Sequence, residues 1–535
     1  MSSTSGFPRT VLYNCNVWCG NKYSKALSVN RGLIEHVGSK EKLKALTGRS
    51  TLWVDLEGAT VMPGFVDSHI HLDGLSREGT SVKLKGTSSP EEVVSRLKPF
   101  ARKVRPGGWL LGRGWDSNMW SSRPSLDLLD GIRSDIHVAL VSNDGHSVWG
   151  NSKALRKAEV SAKRSRASGF VVEKIGRKAT GVLKENAAES LLSVVRKEMP
   201  LDEDSIRKTL FKLAKLGIVG VHDFSQSNLL GLLMKLESQG KLPVRVRSFL
   251  PLNMLPLLSS LEITSGFGSN LVRIMGVKAF IDGSLTSRTA LMISPYEGLK
   301  REKGVLTISM AELLGTMRAA FLSRVMYSVH AIGDMANRMA LDSYEKVRLE
   351  LGTKARNLFR VEHAQLLDPK DIPRFGRLGV FSSMQPVHAV SDMETAELLW
   401  GKRVRYSYPW NSLLKSKARL VFGSDAPVES PDPLVGLHAA VTRRRNGRES
   451  WVKEECIDSR NAALAYTLNP AALEGEADLR GSIEEGKSAD LAVLSRDVLR
   501  CEADKIPDTR VLATFSSGKV SFVSPFLEGK LAQGA

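Results

Sequence analysis

The sequence predicts an α/β protein: a (β/α)8, TIM-like barrel, a small β-sandwich domain built from both termini, and an insertion after the first barrel strand. Three observations lead there. Eight largely apolar, strand-like runs turn polar at their downstream ends and alternate with helical stretches. Both ends of the chain carry short strands punctuated by Gly and Asn. The stretch after the first barrel run is too long for one crossover between parallel strands.

The N-terminal segments TVLYNCNVWCG, ALSVNRGLIEHVG and STLWVDLEG read as short strands, too few to enclose a core alone. GSIEEGKSADLAVLSRD and VLATFSSGKVSFV repeat that texture at the other end. Residues 1–58 and 475–535 are therefore expected to complete one sandwich beside a barrel domain over 59–474. The first barrel strand lies in VMPGFVDSHIHLDG, Val61 to Gly74. Residues 75–199 form the expected inserted subdomain, with GGWLLGRGWDSN, DIHVALVSNDGHSVWGNSKAL and TGVLKENA as its structured pieces. From Ile206 the rhythm becomes strand then helix. KTLFKLAKLG reads helical and leads into IVGVHDF, followed by LPVRVRSFL, LVRIMGVKAFIDG, VMYSVHAIGD, FRVEHAQ, VFSSMQP and RLVFGSDAP.

Across 535 residues, 42% hydrophobic and 25% charged content describes an ordinary globular protein and excludes fibres and wholesale disorder. The net charge of +19 permits attraction to nucleic acid, acidic headgroups or another anionic partner. The cations are scattered, however. Their small clusters, SAKRSRAS (Ser161–Ser168) and TRRRNGR (Thr442–Arg448), have no interleaved aromatic residues. The expectation is a solvated surface without a nucleic-acid site, leaving an anionic partner or peripheral contact with an internal membrane open. Cys15, Cys19, Cys456 and Cys501 lack redox or zinc-knuckle spacing, which favours a reducing, cytoplasmic setting. No apolar run approaches about 18 residues, so no transmembrane segment is expected. A homodimer is allowed, but no interface is legible.

The polar strand ends carry the chemistry. In SHIH a period of two puts His69 and His71 on one face with Asp67. Such a pair can grip a metal or simply end a strand. Later runs end in His222 and Asp223, Lys278, His330, His363 and Asp425, so five of the chain's ten histidines fall at strand ends. Imidazole and carboxylate suit zinc and related divalent ions. Lys278 is a poor ligand as a cation, but burial within RIMGVKAF would depress its pKa. It could bind substrate, form a structural ion pair, or become carboxylated and bridge two metals.

VMPGFVDSHIHLDG resembles the first-strand signature of the amidohydrolase superfamily of metal-dependent hydrolases, and GLIEHVG and GSIEEGKSADLAVL resemble its flanking strands. GRGWDSNMW, LVSNDGHSVWGNSKAL, VKAFIDGSLTSRTA and GLHAAVTRR resemble the YtcJ-like branch, amidohydrolase family 3, which includes the N-substituted formamide deformylases. The resemblance covers nearly the whole chain. It implies metal ligands at His69, His71, Lys278, His330, His363 and Asp425. It implies two Zn2+ per chain: one on His69, His71 and Asp425, the other on His330 and His363, with carboxylated Lys278 bridging. Asp425 would also be the catalytic proton acceptor. A mononuclear alternative uses His69, His71, His330 and Asp425, with His363 orienting water. Trp115, Asp116, Asn143, Asp144, His146 and Arg288 are the expected substrate contacts. Asp67 is expected to brace the first strand. The implied activity is hydrolysis of a non-peptide C–N bond in a small amide or N-substituted formamide; a regulatory or scaffold role with weak or lost catalysis is the alternative.

Overall fold

The computed structural model describes all residues except 1–8, 49–50, 119, 161–168, 227–228, 353–358, 446 and 532–535. The basic stretch Ser161–Ser168 lies outside the described residues.

Each of the eight runs forms a strand: Phe65–Ile70, Ile218–Asp223, Arg245–Pro251, Val272–Phe280, Met326–Ala331, Phe359–His363, Phe381–Met384 and Arg419–Phe422. Every strand pairs in parallel with its sequence neighbour, in the order first to eighth. The strands read as apolar runs because helices cover their outer face while the barrel core fills the inner one. Helix Glu203–Lys215 illustrates the covering layer. Asp202 caps it by accepting from Ser205 N, and Ile206, Leu210, Leu213 and Ala214 are its buried stripe. The ring closes beyond the eighth strand, where Asp425 N donates to His69 O at 2.7 Å and His71 N donates to Ala426 O at 2.9 Å. Gly423 makes that approach possible, since an added Cβ would sit 2.3 Å from His69 N.

Strands from both termini join in one eight-stranded sheet, with Thr60–Pro63 antiparallel to Leu491–Leu494 at the junction. Its opening strand, Thr10–Trp18, shifts register between Tyr13 and Val17, and Asn14 there takes φ 53°. The first half pairs with Leu52–Asp55 and the second with Thr60 and Val61. Leu12, Val17, Leu27, Val61, Leu491 and Phe515 share one core, which explains why neither end alone had enough apolar surface.

Between the first and second barrel strands stands a six-stranded mixed sheet, flanked by helices that include Pro90–Ala101 and Asn186–Glu198. It has cores of its own, one around Trp115, Trp120 and Trp149. Among the described residues no helix is long and apolar enough to cross a membrane.

Candidate metal centre

The histidines converge at the barrel mouth. Ring centroids of His69 and His71 lie 5.5 Å apart, His69 and His363 4.9 Å, and His330 and His363 4.4 Å. Asp425 Oδ1 is 3.1 Å from His71 Nε2 and 3.6 Å from His69 Nε2. His363 and Asp425 adopt φ 71° and 59°, left-handed conformations uncommon outside glycine, where their strands hand over to loops.

Each of the four imidazoles commits one ring nitrogen to an acceptor in the protein. His69 Nδ1 meets Glu362 Oε2 at 2.6 Å, His71 Nδ1 meets Phe224 O at 3.1 Å, and His363 Nδ1 meets Gln385 Oε1 at 2.8 Å. His330 uses Nε2 instead, toward Gly283 O at 3.0 Å. Carbonyl and carboxylate oxygens only accept, so these nitrogens carry a proton; on His69, His330 and His363 the opposite nitrogen keeps its lone pair, whereas His71 Nε2 faces Asp425 Oδ1 at 3.1 Å. Burial, reinforced by Lys278, pulls His69 down to about 4. Burial and neighbouring imidazoles hold His330 and His363 well below the usual range as well. All three are neutral at neutral pH, the form that binds metals.

Burial pushes the Asp425 carboxyl up, but His69, His71 and His363 outweigh it and hold the group well below the usual carboxylate range. Lys278 Nζ is buried 4.6 Å from the Phe224 ring centroid, and burial pulls it to about 8 despite Glu362 and Asp425. Among the described residues Lys278 Nζ and His388 Nε2 are buried without a hydrogen-bond partner. The ligand atoms of His69, His71 and Asp425 lie within 4.8 Å of one another, as do those of His363, His388 and Asp425. Neutral imidazoles with fixed protons, an ionised carboxylate and orphaned polar atoms form a donor set that fits divalent metal.

A ladder of buried groups supports this ring. Glu362 Oε1 contacts Arg360 Nε at 2.5 Å and accepts from Ser328 at 2.5 Å. Arg360 donates to His222 Nδ1 at 2.8 Å, and His222 Nε2 faces Glu474 at 3.0 Å. Arg247 pairs with Glu474 at 2.7 Å. Asp67 accepts from His69 N, Ser424 N and Ser424 Oγ, tying the first strand to the eighth-strand loop. Glu362, Arg360 and His388 were not anticipated. Charged residues two apart in the buried strand FRVEH were the missed signal for the first two, because such groups need partners inside.

A cavity of about 530 Å³ opens over His69, His71, Lys278, His330, His363 and Asp425. A recess of about 30 Å³ beside it is lined by Asn143, Asp144, His146, His388 and Asp425 among others. Of the expected substrate contacts, Asp144 and His146 face the main cavity and Asn143 the recess. Asp144 accepts from Ser284 at 2.5 Å and Ser287 at 2.7 Å, fastening the inserted loop to the segment after the fourth strand. His146 meets Glu185 at 2.9 Å; burial lowers its pKa, but Glu185 and Asp144 raise it to about 9. Trp115, Asp116 and Arg288 are not brought to either space. The Trp115 indole is buried in the insertion and donates to Leu140 O at 2.7 Å, while Asp116 accepts from Asn118.

A family model described as "Amidohydrolase family" matches residues 53–522. The chain is 33% identical to Protein LONG AFTER FAR-RED 3 of Arabidopsis thaliana over 518 residues, 93% of this chain and 88% of that protein. It is 25% identical to the N-substituted formamide deformylase of Arthrobacter pascens over 521 residues, 94% and 95% of the two chains. The crystal structure of a metal-dependent hydrolase from Pyrococcus horikoshii superimposes with TM-score 0.75 at 30% identity, covering 93% of this chain and 99% of that one.

Proposed function

The chain belongs to the amidohydrolase family, and from that premise we propose that it hydrolyses a non-peptide C–N bond in an amide or N-substituted formamide. The observation that carries the reading is the convergence of four imidazoles beside one carboxylate: each is anchored to the protein through one ring nitrogen, and the Nε2 of His71 turns to Asp425 Oδ1 at 3.1 Å. The proposed complement is two zinc ions. His69, His71 and Asp425 would hold one and His330 and His363 the other, with carboxylated Lys278 as their common ligand. Bound zinc supplies a water of lowered pKa and polarises a carbonyl.

The chain's own residues do the rest. Asp425 Oδ1 is turned to His69 and His71, leaving Oδ2, which lies 3.8 Å from His388 Nε2. We assign Oδ2 the proton released during attack and its return to the departing nitrogen. Asp144 and His146 line the mouth from the inserted segment. The recess of about 30 Å³ is of the order of one water or a formyl group, which supports a formamide among the candidate amides. Four free cysteines fit the cytoplasmic setting proposed for it.

Zinc-loaded protein assayed on amide, formamide and imide panels tests the reading. Turnover is expected on at least one panel, and Asp425→Asn should abolish it while the folded spectrum stays unchanged. Full activity in that variant overturns the proton-transfer role. Inactivity of loaded wild type on all three panels favours the regulatory alternative.

A further inference from the structure

The inserted sheet and its last helix build the cavity wall opposite the histidines. Leu111 and Arg113 alternate on one face of strand Trp109–Trp115, and the parallel register sets Ala139 beside Leu111 and Val141 beside Arg113. All four line the cavity, joined by Leu192 and Val195 from helix Asn186–Glu198. This wall is apolar apart from a few charged side chains, and most of those are engaged. Arg196 closes onto Glu189, and Arg77 donates to Met199 O at 2.6 Å.

Arg113 differs. Among the described residues its guanidinium has no hydrogen bond and no ion pair, although it lines the cavity. It feels the charges of Asp425, Glu78, Asp144 and Asp73 without closing onto any of them. Asp144 is occupied by Ser142, Ser284 and Ser287, and Asp425 by His71. A guanidinium that served only to neutralise these acids would pair with one, as Arg196 does. The turn beside it passes close to the guanidinium: Gly145 takes φ 78°, and an added Cβ would stand in van der Waals contact with Arg113 Nη2 at 3.7 Å. Five N–H donors in a planar fork match a carboxylate, and an apolar surround strengthens that pairing.

We propose that Arg113 is a specificity-determining residue that binds a carboxylate carried by the substrate, so that the favoured amides are anionic molecules with an apolar body, such as N-acyl amino acids. This rests on the amide-hydrolase reading above. The carboxylate reaches Arg113 while the apolar body lies on Leu111, Val141 and Leu192 and the amide faces the histidine ring.

The test separates binding from turnover. Zinc-loaded full-length protein is titrated calorimetrically with 3-phenylpropionate and with 3-phenylpropanamide, its neutral counterpart. The carboxylate is expected to bind about 10- to 100-fold more tightly. That preference should vanish in Arg113→Gln and persist in part in Arg113→Lys. In parallel, N-formylphenylalanine should be hydrolysed with higher kcat/KM than N-formyl-2-phenylethylamine, and Arg113→Gln should equalise them through KM. Arg113-dependent binding without turnover of either formamide supports the anion subsite while sinking formamide hydrolysis. Equal binding of the two probes, no saturable binding of the carboxylate, or a preference that survives in Arg113→Gln overturns the proposal. The last result would place the carboxylate on zinc.

Discussion

Replacing Lys278 by Met should make the metal-free protein more stable while weakening its hold on metal. The amine is buried over Phe224 and Phe280 and has no hydrogen-bond partner among the described residues. Burial lowers its pKa from 10.5 to about 8, against the pull of Glu362 and Asp425. The unfolded chain titrates near 10.5, so between about pH 8 and 10.5 it binds more protons than the native chain. Stability therefore rises with pH through that window. Below it both states are protonated and the full penalty remains, about 3 kcal/mol for this shift. Methionine has no charge to desolvate and keeps the apolar stem. Metal-free Lys278→Met should thus exceed wild type by about 3 kcal/mol at pH 7 and by only about 1 kcal/mol at pH 9.5. Zinc should shrink or reverse the difference at pH 7, because the variant gives up a proposed ligand and with it part of the stabilisation that binding confers. Urea unfolding of both proteins, with and without zinc at both pH values, reads every term. A metal-free variant no more stable than wild type at pH 7, or a gap that fails to narrow by pH 9.5, refutes the reasoning.

Two further outcomes follow from the groups behind the ring. Glu362→Gln keeps the shape but removes the charge that orients His69 Nδ1–H, so zinc affinity should fall about 10- to 100-fold in a chelator competition; wild-type affinity would remove Glu362 from the site's support. His388→Ala should lower kcat with a smaller loss of bound zinc, since His388 Nε2 faces Asp425 Oδ2 and is not one of the proposed ligands; zinc loss measured by metal analysis in step with activity would make it a ligand instead.

The barrel was legible because parallel strands covered on both faces must be largely apolar, and because histidine, lysine and aspartate recur at the downstream ends of those runs. His69, His71, Lys278, His330, His363 and Asp425 stood out for that reason, and the structure gathers them around one cavity. His388 escaped because the seventh strand ends at Met384 and the histidine sits on the following helix, Pro386–Ser391, beyond any strand-end pattern. Trp115 was expected at the substrate from resemblance, and the structure gives its indole other partners. Its indole donates to Leu140 O inside the insertion and packs near Trp120 and Trp149. Arg113 lay two residues away in the same GRGWDSN stretch. Its importance depends on which neighbours fail to reach it, and pairing across the chain is not encoded in local spacing.

The ladder below the ring explains how so many charges can be buried there. Glu362 faces Arg360, Arg360 faces His222, His222 faces Glu474, and Glu474 faces Arg247, so each charge meets an opposite charge or a fixed tautomer. Breaking such an array by removing one member leaves a buried charge uncompensated, which is worth about 3–5 kcal/mol. The same contacts set the proton on His69 Nδ1 and thereby aim Nε2 into the cavity, so packing and ligand geometry share their residues. Among the described residues Lys278 Nζ is left without a hydrogen bond. Glu362 and Asp425 offset only part of its burial, so the amine keeps a lowered pKa of about 8. A fold selected for stability alone would favour an apolar residue there, and a ligand role in the proposed metal centre would account for the lysine.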